Sequence, residues 1–380
     1  MKALTELLSS LPFPLPHVSV TIYDIAEQAG VSIATVSRVF SGSARVADIT
    51  RERVFSVARQ LGYEPNASAR SLARQSTQIV SAVLPMMTSY FFMEVLRGVH
   101  DCLWEANYDL LVFASRSPGE VDGQFERAVQ PGRADGLILC STQLSAERAE
   151  SLKDSGYPVV LVDCAHSEFD SVSVNNTEGG YAAVRHLIEC GRTRIGLILP
   201  NPDSAPGVER RLGAERALAE ANLALDPDYV VMSDEVLQHG YTRESGYAAM
   251  KTLLARSPRP DAVFAASDVQ ALGALKAIRD AGLRCPEDLV LVGFDDIRTS
   301  AYVGLSTLSQ PMYEMGKTGA EKLLRRLEDA ERPVSHTVFS ARLVTRETSF
   351  NLSAPGIPAG DLPTTAKVAA PRISRATAGH

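Results

Sequence analysis

The chain has 380 residues, 45% of them hydrophobic, and a formal net charge of −7, which is enough material for a small head plus one large or two medium domains. No apolar run approaches the ~18 residues of a membrane span, and the five cysteines (Cys102, Cys140, Cys164, Cys190, Cys285) are scattered, odd in number and never spaced as CxxC. That usage suits a reducing cytoplasm and gives neither a disulfide framework nor a zinc site, so each cysteine reads as a small buried hydrophobe.

Residues 1–20 (MKALTELLSSLPFPLPHVSV) look a little like a signal peptide, but Glu6 and three prolines interrupt them and no small-x-small cleavage site follows. They are read as a disordered extension or an overlong gene start. From Thr21 the pattern changes. Thr21 can cap a helix with Asp24 three residues on, and Ile22, Ile25, Ala26 and Ala29 follow at i, i+3, i+4, i+7. Gly30 ends that helix, Ser32 can cap the next, and only Val31 lies between, which is helix-turn-helix spacing. In the second helix, Ile33 to Phe40, the apolar Val36, Val39 and Phe40 fit packing on the first. Ile33, Ala34, Ser37 and Arg38 share another face, as a recognition helix would present to a major groove, with Arg38 suited to guanine and Ile33 or Ala34 to a thymine methyl. An ordinary surface helix with one solvated Arg would show the same face.

Asp48 or Thr50 can open a third helix, with Val54, Val57, Ala58 and Leu61 inward and Gly62 as its stop. A short run, Asn66 to Ala73, follows Pro65. The segment from Thr21 to Thr77 carries seven Arg against five acidic residues, so the rest of the chain holds the negative surplus. A basic head on an acidic body suits contact with nucleic acid at the N-terminal end alone.

YDIAEQAGVS, ATVSRV, TRERV and YEPNASARSLA, in order and without a gap, closely resemble the DNA-binding headpiece and hinge of the lac repressor (LacI/GalR) family. One departure is Ala47, where a capping Ser is expected and Asp48 is a candidate to take over. The resemblance covers roughly Thr21 to Phe350. It implies a headpiece over 21–64, a hinge helix and linker over 65–77, a two-lobed core over 78–350 and a disordered tail over 351–380. It also extends the DNA-contacting set to Thr21, Tyr23, Ser32, Thr35 and Arg45 in the headpiece and to Asn66, Ala69, Arg70 and Leu72 in the hinge.

Beyond Ser76 short apolar runs (Ile79–Leu84, Asp109–Ala114, Gly136–Cys140, Val159–Val162, Ile195–Leu199, Ala262–Ala266, Leu289–Gly293) alternate with amphipathic stretches at Phe92–Ala106, Glu178–Cys190, Glu209–Ala221, Arg243–Ala255 and Val269–Ala281. Buried strands alternating with helices mean α/β architecture, doubly wound on parallel sheets. So many residues exceed one comfortable core, so two lobes are expected, and the resemblance implies lobes like those of periplasmic sugar-binding proteins, crossed by three strands.

In such sheets ligands sit beyond the carboxyl ends of the strands. There stand Asp163, Asp268, Asp295 and Asp296, with Arg210 at a helix opening and Phe91, Phe92 and Tyr241 in loops or helix starts. Carboxylates with one Arg can bind vicinal hydroxyls, and aromatic faces can cover a sugar ring. An Asp at a strand end can equally cap the next helix, and for Asp268 and Asp296 that alternative stands beside the first. The resemblance places Asp163, Arg210, Asp295 and Gln310 among the effector contacts. It puts Ser267 where relatives carry Asn before Asp268.

Three function classes compete. A transport protein explains only the body. An enzyme lacks GxGxxG, GxxxxGK[ST], HExxH and GxSxG signatures, and no cofactor is implied. A transcriptional regulator, by resemblance a repressor with a sugar effector, explains both halves. Asn66 to Ala73 is too short to be helical alone, so ordering on the minor groove, with Leu72 from each subunit wedged at a central step, would couple DNA binding to the spacing set by a homodimeric body. The implied operator is pseudo-palindromic with a CG centre. Asn351 to His380 lacks the leucine heptad through which some members tetramerise.

Overall fold

The computed structural model describes residues 20–40, 46–63, 76–115, 120–235 and 237–350. The expectations for Arg45, Asn66, Ala69, Arg70 and Leu72, for residues 1–19 and for the tail lie outside the described residues.

The headpiece is three helices around one core. Helix α1 (Ile22–Ala29) starts where the Asp24 carboxylate accepts the Thr21 backbone N–H and hydroxyl, both at 2.7 Å. Gly30 ends it at φ 62, a left-handed turn that lets the Val31 N–H reach back to the Ala26 carbonyl. Helix α2 (Ile33–Phe40) is capped by Ser32, whose hydroxyl accepts the Thr35 N–H at 3.1 Å. Helix α3 (Asp48–Gln60) departs from the sequence reading. Asp48 and Thr50 lie inside the first turn, and Ala47 occupies the cap position with no side-chain bond. Asp48 still favours that end through the helix dipole. Ile25, Ala26, Ala29, Val36, Val39, Val54, Val57 and Ala58 are buried together, and Phe40 meets the rings of Phe55 and Tyr63 at 5.8 and 5.6 Å.

The body alternates as expected: β1 (Ile79–Leu84), α4 (Tyr90–Glu105), β2 (Asp109–Ala114), α5 (Val121–Ala128), β3 (Gly136–Cys140), α6 (Ala146–Ser155), β4 (Val159–Val162) and β5 (Asp170–Val174). The chain then crosses at Asn175 into a second lobe. There α7 (Asn176–Glu189), β6 (Ile195–Leu199), α8 (Ala205–Glu220), β7 (Val230–Met232), α9 (Arg243–Leu254), β8 (Ala262–Ala265), α10 (Asp268–Asp280), β9 (Val290–Asp295), α11 (Arg298–Tyr302) and β10 (Ser306–Ser309) follow. It returns at Gln310 for α12 (Met312–Glu328) and β11 (His336–Phe339), and crosses a third time to β12 (Arg342–Val344).

The two sheets run β11-β5-β4-β3-β1-β2 and β12-β10-β9-β8-β6-β7, parallel throughout except for the β10–β12 pair. Their central strands are apolar on both faces, covered by helices on each side. Three crossings between two doubly wound sheets are what the resemblance implied.

Several boundaries moved. The helix expected from Glu209 begins at Ala205, because Ser204 caps it and Pro206 sits in its first turn. Arg210 therefore lies in the second turn and does not open the helix. Helices α7 and α8 cross at Gly180 and Gly213, where a Cβ on Gly213 would overlap the Thr177 carbonyl and one on Gly180 the Arg210 carbonyl. That contact sets the depth of Arg210.

Candidate functional site

Two surfaces carry chemistry. On α2, Val36 and Val39 are buried, while Ser32, Ile33, Ala34, Ser37 and Arg38 are exposed and Thr35 is half-buried. Ile33 is 42% exposed although it is large and apolar, and it stands beside a polar, arginine-bearing face. Thr21 and Tyr23 are exposed at the start of α1. This is the division of faces that the sequence predicted for a groove-reading helix.

The second surface is a cavity of about 1200 Å³ between the lobes, at the carboxyl ends of both sheets. Phe91, Phe92, Asp163, Arg210, Tyr241, Ser267, Asp295 and Gln310 all line it. Parallel register brings its polar residues together. Cys140 pairs with Val162, so the next residues, Ser141 and Asp163, meet beyond the strands, and the Ser141 hydroxyl donates to Asp163 at 2.5 Å. Ser309 pairs with Asp295, so Gln310 follows alongside, and its amide donates to Asp295 at 2.6 Å. Asp163 (φ 60) and Asp295 (φ 121) both hold left-handed backbone, the kind of strain that collects at ligand sites.

Arg210, 4% exposed, anchors this group. Its Nε donates to Asn176 Oδ1 at 3.0 Å and its terminal nitrogen to the Ala266 carbonyl at 2.5 Å. The guanidinium lies 3.7 Å from the Phe294 ring centre and 3.9 Å from the Asp295 carboxylate. Asn176 turns its own amide to Glu209 at 2.9 Å, and the Ser204 and Tyr241 hydroxyls share a bond at 2.8 Å. Burial pushes the Asp163 carboxyl up to about 6, against the Ser141 bond and the Arg210 charge that hold it down, while Glu209 adds to the rise. Burial also raises Asp295, with Arg210 and Gln310 opposing. Tyr241 is raised by burial too.

Asp268 is not part of this lining. Its carboxylate turns into the second lobe, where it accepts the hydroxyls of Ser300 and Thr307 at 2.6 Å each and the Ile297 N–H at 3.0 Å. Three donors fix α11 and β10 to the start of α10, and burial with the Asp295 charge raises its carboxyl. Asp296 pairs with Arg346 at 2.6 Å. Ser267, which lines the cavity, caps α10 by accepting the Gln270 N–H at 3.2 Å. Gln270 in turn donates to the Gly240 carbonyl beside Tyr241. Sequence reasoning missed Ser141, Asn176, Ser204 and Glu209. For Asn176 and Glu209 the cue was the true start of α7 and α8. The thiol of Cys164, also on the cavity wall, is pushed up to about 12 by burial, which disfavours its thiolate.

A helix-turn-helix headpiece joined to a two-lobed body with a polar cavity between the lobes is the arrangement of a ligand-responsive DNA-binding regulator. Residues 21–66 match the family model of bacterial regulatory proteins, lacI family, and residues 184–349 that of a periplasmic binding protein-like domain. The chain is 34% identical over 339 residues to the HTH-type transcriptional repressor PurR of Aliivibrio salmonicida (strain LFI1238), covering 87% of this chain and 99% of that protein. It is 35% identical over 340 residues to the ribose operon repressor of Haemophilus influenzae (strain ATCC 51907 / DSM 11121 / KW20 / Rd), with the same coverage of each. Among solved structures it resembles the lac repressor dimer bound to operator and the anti-inducer ONPF (TM-score 0.74, 26% identity) and a complex of the transcriptional regulator CelR with cellobiose (TM-score 0.65, 31% identity). Each match covers 87% of this chain and 99% of the other. The chain belongs to the lacI family of bacterial regulatory proteins, and it is a DNA-binding transcriptional regulator. Among the described residues no helix is long and apolar enough to cross a membrane.

Proposed function

We propose that this regulator is a cytoplasmic repressor that binds a pseudo-palindromic operator as a homodimer and responds to a sugar-like effector held between its lobes. The observation that carries the effector reading is the convergence of Asp163, Arg210, Asp295 and Gln310 on one cavity wall, each fixed by a neighbour's hydrogen bond. Fixed carboxylates and a guanidinium match the paired donors and acceptors of vicinal hydroxyls, and Phe91, Phe92 and Tyr241 supply apolar faces for a ring. Solved relatives hold cellobiose and ribose, which supports the same class here. The groups act as holders, and we assign them no catalytic step.

On the DNA side, Arg38 is proposed to read a guanine and Leu72 to enter the minor groove at the central step. Because both lobes contribute to the cavity wall, an effector that changes their separation changes the spacing of two hinges in a dimer. A thermal-shift screen over neutral sugars tests the effector reading, and a gel-shift on genomic fragments tests the operator reading. Stabilisation by no sugar overturns the first. Equal retardation of every fragment overturns the second.

A further inference from the structure

Taking that reading of the cavity as given, its charge inventory narrows the effector further. Six carboxylates (Asp122, Asp163, Asp203, Glu209, Glu244, Asp295) and three guanidiniums (Arg148, Arg210, Arg243) line it. Arg148 is already held by Asp122 at 2.6 Å near the outer wall. At the base only Arg210 faces Asp163, Glu209 and Asp295, and it directs its hydrogen bonds to the neutral oxygens of Asn176 and Ala266. Asp295 also stands 3.9 Å from Arg210, and each of the three carboxylates accepts a hydrogen bond from a neutral group, Ser141, Asn176 and Gln310 respectively.

One further acceptor stands with them. Gln310 is 4% exposed, and its Oε1 has no hydrogen-bond partner among the described residues. The amide orientation is forced, since turning it would set oxygen against the Asp295 carboxylate. The base of the cavity is therefore rich in acceptors and negative by more than its one guanidinium offsets. Asp295 is buried and Asp163 half-buried, Glu209 is exposed on the same cavity wall, and a ligand that brings a cation and several N–H donors compensates this surplus.

We propose that the effector carries a protonated amine on a hydroxylated skeleton, an amino sugar being the class that fits, with its ammonium seated among Asp163, Glu209 and Asp295. Burial is what chiefly raises the Asp163 carboxyl, with Glu209 adding to the rise, and an ammonium beside it would favour its charged form. A phosphorylated sugar would add to the surplus and is excluded at this position.

The test is calorimetric titration of the full chain near neutral pH with matched sets built on glucose, galactose and mannose: the neutral sugar, its 2-amino, 2-acetamido and 6-phosphate derivatives, and putrescine as a bare diamine. The amine of at least one set should bind about tenfold or more tightly than both its neutral and its acetylated counterparts, the scale of one charge-assisted hydrogen bond replacing a neutral one. Glu209→Gln should shrink that ratio several-fold, with its melting temperature recorded to confirm folding. A neutral or phosphorylated sugar that binds as tightly as its amine overturns this inference and leaves the sugar reading standing. Putrescine binding as tightly as the best amino sugar supports the cationic ligand and overturns the sugar. If nothing in any set binds, both fall.

Discussion

Replacing Arg210 by Ala should damage the second lobe well before any ligand is added. The change removes the donors to Asn176 Oδ1 and to the Ala266 carbonyl, both buried, and leaving a buried acceptor unpaired costs about 1–3 kcal/mol each. It also strips the cation 3.7 Å from Phe294 and 3.9 Å from Asp295, and breaking a buried charge pair by deleting one partner typically costs about 3–5 kcal/mol in all. Since these figures overlap, about 3–5 kcal/mol is the expected total, or roughly 6–20 °C in melting temperature at 2–4 °C per kcal/mol for a body of this size. Scanning calorimetry near pH 7 and near pH 5 reads it. At the lower pH the buried Asp295 takes up a proton and no longer needs the counter-charge, so the gap between variant and wild type should narrow. A variant that melts within about 2 °C of wild type at both pH values would refute the anchoring role, since even one unpaired buried acceptor costs more.

Further expectations concern other parts of the chain. Arg38→Ala should flatten operator discrimination in a gel-shift by about 1–3 kcal/mol, the worth of one bidentate guanine contact, while the melting of the body stays put. Gly213→Ala should force α7 and α8 apart at the Thr177 carbonyl and lower the melting temperature through about 1–3 kcal/mol of overpacking, more than any solvent-facing Gly→Ala change. Asp163 is raised from 3.8 to about 6, so the native state holds a proton there that the unfolded chain has released. Its contribution makes stability fall as pH rises from about 4 to about 6 and level off above that. Asp163→Asn should flatten that portion of a stability-against-pH curve, and an unchanged slope would contradict the assignment.

What could be read from the sequence was whatever burial writes as an apolar run. The strands β1, β3, β4 and β6 stand where Ile79–Leu84 and its successors placed them, because strands covered on both faces carry continuous Val, Ile and Leu, and the half-exposed edge strand β2 keeps its expected bounds as well. The headpiece was equally legible, since Gly30 and Ser32 punctuate it. Strands β5 (DSVSV) and β10 (STLS) escaped because their serines look solvated. Inside the fold those serines are matched: Ser171 bonds His336 at 2.8 Å, and Ser306 bonds the Arg346 backbone at 2.7 and 3.0 Å. No single-chain pattern announces partners so distant in sequence. The same gap hid part of the site. Without β5 nothing in the sequence marks Asn176 as lying beyond a strand end, and a helix start set four residues late makes Glu209 a helix opening in place of part of the cavity wall. Asp268 was ambiguous for a physical reason, because a carboxylate at a strand end can face a ligand or tie down the next loops, and only the positions of Ser300 and Thr307 decide between them.

If the interlobe cavity controls the headpiece, operator affinity must differ with and without a cavity ligand. Fluorescence anisotropy on the operator recovered from genomic fragments, with the tightest-binding sugar or amino sugar at saturation, should show a change in Kd of about 5–150-fold, the range of ordinary allosteric coupling. Asp163→Ala should abolish that change at the same ligand concentration while still binding the operator. A ligand shown by calorimetry to occupy the wild-type cavity, yet leaving operator Kd unaltered, would mean that cavity and headpiece are uncoupled.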